Sequence, residues 1–379
     1  MSGSGRLVLV SFNVTEVSDT GIDVINILPQ ITGVTGYIGG QVVQSFLEAG
    51  YRVRGYNKLQ GLVAHFTSTA NVHFVSGNLE FVRVDDLVKG EFTDALRDVH
   101  AVIHVASPLP GRTGPDETIA AAVEGTLNVL RQAQRLGIKK FVVTGSTSAL
   151  YDHAPGKPSP ALSGLAFTEK DWGAGSREGI TAHAAQPFYV YASSKYLAEK
   201  AVWEFARAHP ELDVSTVLPS FVYGPYSKSF PYPASYAALQ GGTNAFPYAI
   251  LKGKRPPVLA PWVTDVRDVA KAHVRALELA SLADGVDVEE RRFIVSGGNL
   301  TWKEAARYLG QALPTHLASG ITDPEELSEL SGVPSVLDTS RAREVLGIEF
   351  IDPKKTLEEC LLSLVSVEEG WATNLSKSE

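Results

Sequence analysis

The chain has 379 residues, 44% hydrophobic and 20% charged, the balance of an ordinary folded protein and not of a disordered one. Its net charge of −8 makes nucleic acid or an anionic membrane surface a poor principal partner, and no apolar run is long enough to span a bilayer. A single cysteine, Cys360, excludes an intramolecular disulfide and a thiolate zinc cluster, and with a start that lacks a secretory signal it points to a cytoplasmic protein.

Taken in chain order, short β-branched runs alternate with helical patterns. Thr32–Gly40 reads TGVTGYIGG, and Val42, Val43, Phe46 and Leu47 then recur at the spacing of a buried helical stripe. Strands are expected at Tyr51–Arg54, Val72–Val75, Ala101–Val105, Phe141–Thr144 and Val214–Leu218. Such alternation implies βαβ units: an α/β fold, a Rossmann-type doubly wound parallel sheet. From about Tyr223 the texture turns to Pro, Gly, Tyr and Ser, and helical patterns resume at Val266–Ala280, Thr301–Leu313 and Thr356–Val365. The organisation read from this is a nucleotide-binding domain over 1–225 and a smaller, interleaved C-terminal substrate lobe over 226–379. Residues 264–298 return in part to the first domain.

Each motif carries a chemistry. In the glycine loop, Gly33 permits a tight strand-to-helix turn, Gly36 lets backbone approach a pyrophosphate, and Gly39 lets helix and strand pack closely. Phosphates would then meet the unpaired N–H groups of the first helical turn, around Tyr37 and Ile38. An NAD enzyme places an acid about 20 residues past this loop for the ribose 2′-hydroxyl. Here the stretch reads Arg54-Gly55-Tyr56-Asn57-Lys58, without an acid, so NADP(H) is favoured, with Lys58 and then Arg54 as the 2′-phosphate contact. Tyr191 and Lys195 share a helical face, where an ammonium could favour the phenolate of a tyrosine that otherwise titrates near pH 10. Upstream, Ser146, Thr147 and Ser148 follow a strand and bring hydroxyls to the sheet's carboxyl edge, where α/β proteins bind ligands; two of the three can equally cap a turn.

With TGVTGYIGG, HVASPL (104–109), AVEGTLNVL (122–130), FTEKDW (167–172), YASSK, LPSFVYGP (218–225), TDVRDVAKAH (264–273) and LDTSRAREVLG (337–347), the chain resembles the extended short-chain dehydrogenase/reductase superfamily. It looks closest to the branch of dihydroflavonol reductases, cinnamoyl-CoA reductases and fungal ketone and aldehyde reductases. The resemblance implies a Ser–Tyr–Lys triad of Ser146, Tyr191 and Lys195, with Thr147 as the serine's position in sugar-nucleotide relatives. It also implies adenine contacts from Asn78 and Leu79, a loop at Ala106 beneath the cofactor, and backbone at Pro219 and Val222 against the nicotinamide. The function implied is NADPH-dependent reduction of a small ketone or aldehyde by a monomer or homodimer. The alternatives are a sugar-nucleotide epimerase or dehydratase with tightly held NAD, and a non-catalytic NADP-binding regulator.

Two smaller readings complete the sequence. His100 and His104, Asp265 and Asp268, and Trp172, Trp203 and Trp262 are expected to be structural, while the loop 226–248 could line an apolar pocket. Relatives run from a first strand straight into the glycine loop, yet here the strand-like Arg6–Leu9 is separated from Ile31 by Val10–Gln30. That segment has the marks of a translated, retained intron. If it is kept, either the stretch ILPQIT forms the first strand or Arg6–Leu9 pairs and a long loop returns to the glycines.

Overall fold

A computed structural model describes residues 28–32, 34, 36–57, 78–84, 86–108, 110–111, 113–156, 158–227, 239–328 and 330–375, with the backbone of 16–17 and 23–24; Tyr56, Asn57 and 369–375 are described by backbone alone. Seven parallel strands form the central sheet: β1 (Pro29–Thr32), β2 (Val53–Asn57), β3 (Leu79–Arg83), β4 (Ala101–His104), β5 (Lys140–Thr144), β6 (Asp213–Pro219) and, after two short strands of the second lobe, β9 (Arg292–Val295). Their spatial order is β9-β6-β5-β4-β1-β2-β3. The order reverses between β1 and β4, which opens a crevice at their carboxyl ends.

Period-two alternation sends side chains to two buried faces. Ile31, Ile103, Val142 and Val217 meet α1 (Tyr37–Glu48) and α4 (Val266–Glu278) on one face. Val102, Phe141, Val143 and Val214 meet α2 (115–135) and α3 (Pro187–Ala208) on the other. α2 runs over Pro115–Ile119 and Gly125–Arg135 through a π turn at Ala120–Glu124. With both faces covered, the strands are near-continuous apolar runs, which is why three of the five expected strands lie where the residue pattern puts them, while β2 starts and ends later than the expected Tyr51–Arg54. Val72–Val75 lies outside the described residues, and the strand beside β2 is Leu79–Arg83.

The first strand is the stretch containing Pro29 and Gln30; Arg6–Leu9 lies outside the described residues. Pro29 is tolerated because it is the first residue of β1 and lies level with Ala101 of β4, while the register with β2 begins one residue later, Gln30 opposite Arg54.

The second lobe holds a three-stranded sheet in the order β7-β8-β10, from β7 (Val222–Tyr223), β8 (Trp262–Asp265) and β10 (Gly298–Asn299). α5 (Trp302–Ala312) and α6 (Pro353–Leu375) pack on it through Val263, Leu300, Leu309, Leu357, Leu361 and the buried Cys360. Asp265 caps α4 through the Arg267 N–H at 2.8 Å and accepts from Thr356 Oγ1 at 3.0 Å, so its carboxylate joins the two lobes. Asp268 accepts from the Ile351 N–H at 2.8 Å, and burial raises its pKa to about 6. Among the described residues, no helix is long and apolar enough to cross a membrane.

Candidate active site

The crevice is built from strand ends. Thr32, last in β1, accepts the N–H groups of Val105 and Ala106 on its hydroxyl at 3.1 and 3.2 Å, which fixes the loop after β4. His104 holds Thr32 in turn. Its Nδ1 lies 3.0 Å from Thr32 Oγ1 and its Nε2 3.0 Å from Thr126 Oγ1 of α2. Burial keeps this imidazole neutral, with a pKa lowered to about 3, so it is a strut and not a switch. His100 has the same kind of role, its Nδ1 accepting from the Leu28 N–H at 3.2 Å.

α1 begins at the same edge. Gly36 is its N-cap in extended geometry, with no side-chain cap and no acidic residue in the first turn. The first helical bond among these residues runs from the Gly40 N–H to the Gly36 carbonyl, so the N–H groups of Tyr37, Ile38 and Gly39 face the crevice unshared within the helix. Tyr37 turns its ring away, its hydroxyl donating to the Gly224 carbonyl at 2.7 Å and its ring 4.8 Å from that of Tyr226. Ile38 packs against the core. Gly33 lies outside the described residues.

The strand β5 delivers the hydroxyls. Ser146 caps the short turn Thr147–Ala149, accepting from the Ser148 N–H at 3.2 Å and from Ser148 Oγ at 3.0 Å. Burial raises the Tyr191 pKa, and the Ser146 side chain works against that rise. Thr147 is directed elsewhere, its hydroxyl donating to the Pro219 carbonyl at 3.4 Å. Tyr191 sits on the second turn of α3, with the half-exposed Phe188 ring 6.2 Å away and His153 next beyond it at 5.3 Å from Phe188.

Lys195 is buried one turn further on. Its Nζ donates to the Thr144 carbonyl at 3.0 Å and to Ser107 Oγ at 3.3 Å, tying the ends of β5 and β4 together. Burial lowers its pKa to about 8. The ammonium is thus turned to Thr144 and Ser107, while burial, countered by Ser146, moves the phenol.

Ala106, Ser146, Tyr191, Lys195 and Pro219 thus come together with the α1 N-terminus at one sheet edge. Val222 is buried in β7, its backbone paired with β8. Other expected contacts do not reach this edge. Arg54 lies near the start of β2, where its Nε pairs with Glu80 at 2.7 Å and its Nη1 donates to the carbonyls of Ala95 and Arg97. Asn78 and Leu79 stand at the amino end of β3, with the Asn78 carbonyl accepting from Val53 at 2.7 Å and Leu79 buried in the core. Lys58 and 228–238 lie outside the described residues. Ser107 and Glu199 were not anticipated; Glu199, four residues past Lys195, was open to the same helical-spacing argument.

The residues matched settle the relationship: the model of the NAD dependent epimerase/dehydratase family matches 30–288. The chain belongs to that family. It is 31% identical to ketoreductase sphI of Aspergillus fumigatus, over 84% of this chain and 92% of the relative. It is 27% identical to aldehyde reductase 2 of Sporidiobolus salmonicolor, over 89% and 95%. Among solved structures, Gre2 of Candida albicans in complex with NADPH superposes with a TM-score of 0.71 at 26% identity, covering 90% of this chain and 99% of that one.

Proposed function

We propose that the chain is an NADPH-dependent reductase of ketones or aldehydes. The observation that carries this reading is the gathering of Ser146, Tyr191 and Lys195 at the carboxyl edge of the sheet, Ser146 where β5 ends and Tyr191 and Lys195 one turn apart on α3. The names of the relatives, reductases in several cases, support the same class. The donor set fits the cofactor: an uncapped helix N-terminus free of acids suits a pyrophosphate, and β2 ends in Gly55-Tyr56-Asn57 with no carboxylate to repel a 2′-phosphate. Gly36, Tyr37, Ile38 and Gly39 would hold the phosphates, Lys195 and Tyr191 the nicotinamide ribose, and Ala106, Pro219 and Val222 would border the rings.

When bound, NADPH supplies hydride to the carbonyl carbon. The chain's own part is proton transfer and orientation. Ser146 holds the substrate oxygen beside Tyr191, and the Tyr191 hydroxyl donates its proton to that oxygen. Lys195, positively charged, fixes the ribose and offsets the negative charge left on the phenol. Phe188, His153 and Tyr151 offer an uncharged aromatic flank, which suits an apolar carbonyl compound and not a sugar nucleotide.

A panel of aldehydes and ketones assayed with NADPH and NADH tests this. NADPH oxidation that depends on the carbonyl, and a clear preference over NADH, are expected. A purified chain that carries bound NAD and reduces nothing in the panel would turn the reading to an epimerase. Because the Lys195 ammonium is lost as pH rises through about 8, kcat/KM should fall on the alkaline side of that value and hold below it.

A further inference from the structure

The Glu199 carboxylate is buried one turn past Lys195, and four donors converge on it. Trp203 Nε1 lies 3.3 Å from Oε1, Thr216 Oγ1 3.0 Å, and Arg292 Nε 2.8 Å, while Arg292 Nη2 reaches Oε2 at 3.2 Å. Arg292 is itself fully buried. Its Nη1 is committed to the carbonyls of Glu169 and Asp171, and its guanidinium lies 3.6 Å over the Trp172 ring. A buried ion pair contributes little to stability compared with apolar residues of the same volume. Its position suggests another role, because Lys195 and Glu199 line one small cavity of about 20 Å³ with His104, Thr126, Thr144 and Thr216.

Four elements besides its own helix pack around Lys195. From β4 and its loop come the neutral His104 and Ser107; from β5, the Thr144 carbonyl; from α2, Thr126; from β6, Thr216. Beyond Glu199, β9 contributes Arg292. On α3 itself stand the neutral Tyr191 and Glu199. Both direct partners of the ammonium are uncharged, and among the described residues Glu199 is the one anion in this set. A buried ammonium without a counter-charge sheds its proton.

We propose that Glu199 is a positioning residue for Lys195: pinned by Arg292, it supplies across the cavity the negative charge that keeps the ammonium protonated. The inference rests on the proposed role of Lys195 in holding the cofactor ribose. Arg292 fixes the carboxylate through Nε and Nη2 and gives Nη1 to the carbonyls of Glu169 and Asp171.

The test is the pH dependence of NADPH binding, followed by fluorescence, together with the pH profile of kcat/KM, for the wild-type chain, Glu199→Gln and Glu199→Asp. The alkaline limb should move down by about one pH unit in Glu199→Gln and stay near its wild-type place in Glu199→Asp. A folded Glu199→Gln chain with an unmoved limb overturns the proposal. If that variant does not fold, Glu199→Gln combined with Arg292→Leu removes both charges and leaves neither unpaired. The same downward shift is required of it, and a wild-type limb overturns the proposal. Should the wild-type chain bind NADPH and reduce no carbonyl, the reductase reading fails, while the binding limb still decides the role of Glu199.

A different observation concerns the central strand. Gln30 is fully buried in β1, and neither its Nε2 nor its Oε1 has a hydrogen-bond partner. It lies level with Val102 on an otherwise apolar face, and the preceding Pro29 brings no N–H to the ladder. The family match begins at residue 30. We infer that Val10–Gln30 is an insertion interrupting an original first strand, and that without it Arg6–Leu9 runs directly into Ile31. Leu7, Val8 and Leu9 would then replace Leu28, Pro29 and Gln30, exchanging an orphaned amide for an aliphatic side chain and a proline for a residue with an N–H. The segment is 21 residues, a whole number of codons, and Val10-Ser11 and Gln30 can be encoded by intron-boundary sequences, so an unspliced message accounts for it. The chain lacking Val10–Gln30 should melt higher than the full chain by about 3 °C or more. An equal or lower midpoint, or failure to fold, overturns the inference.

Discussion

Replacing Tyr191 by Phe should lower kcat by about two to four orders of magnitude while NADPH binding changes little. The substitution removes one oxygen from a partly buried ring and leaves the packing against Phe188 in place. Ser146 keeps its other bonds, the Ser148 N–H at 3.2 Å and Ser148 Oγ at 3.0 Å, so it is not left unpartnered. The folded state therefore loses no more than one ordinary hydrogen bond, roughly 1 kcal/mol. The reaction loses the group that protonates the carbonyl oxygen. Such a loss appears in kcat far more than in KM, since a proton given up only as the carbonyl is reduced contributes little to ground-state binding. Ser146→Ala should have the same direction and a smaller size, because it removes an orienting contact and leaves the donor. A Tyr191→Phe chain with kcat near that of the wild type would falsify the assigned role, whatever its affinity for NADPH.

The parts of this site that were legible in the sequence are those fixed by local periodicity. Tyr191 and Lys195 share a face because α3 is a regular helix, and Ser146 reaches the edge because β5 ends at Thr144. What periodicity could not give is the direction of a long side chain at a strand position. Arg54 looked like a phosphate ligand by its distance from the glycine loop, yet it is the second residue of β2, an amino-end position from which it meets Glu80, Ala95 and Arg97. Asn78 and Leu79 are placed in the same way: the strand they introduce begins there and does not end there. Ser146 and Thr147 part company where the strand ends, Ser146 capping the next turn and Thr147 donating to the Pro219 carbonyl, a difference that spacing does not contain. The tuning of Tyr191 by Lys195 was read from spacing and from the resemblance, and neither says that the ammonium also donates to Thr144 and Ser107. The first strand was ambiguous because two apolar stretches, Arg6–Leu9 and Ile27–Ile31, compete for one slot between β4 and β2.

Gly36 offers the sharpest separation of stability from function. Its backbone, φ −86° and ψ 161°, is extended geometry that any residue adopts, so nothing in the local conformation demands glycine. By helix rules the position is under-used. An aspartate at the N-cap would accept N–H groups of the first turn and place a negative charge at the positive end of the dipole, stabilising α1 by about 0.5–1 kcal/mol. Those same N–H groups are the ones a pyrophosphate would take. A carboxylate about 4 Å from a phosphate in surroundings of intermediate dielectric costs about 4 kcal/mol, and the capped donors are lost as well. Gly36→Asp should therefore melt slightly higher than the wild type and bind NADPH about two to three orders of magnitude more weakly. Gly36→Ala, which adds neither a cap nor a charge, separates steric approach from electrostatics: its affinity should fall between the two. The measurement is a thermal midpoint and an NADPH titration on each of the three chains. If Gly36→Asp binds NADPH as tightly as the wild type, the phosphates do not sit at the α1 N-terminus, and the cofactor must enter the crevice by another route.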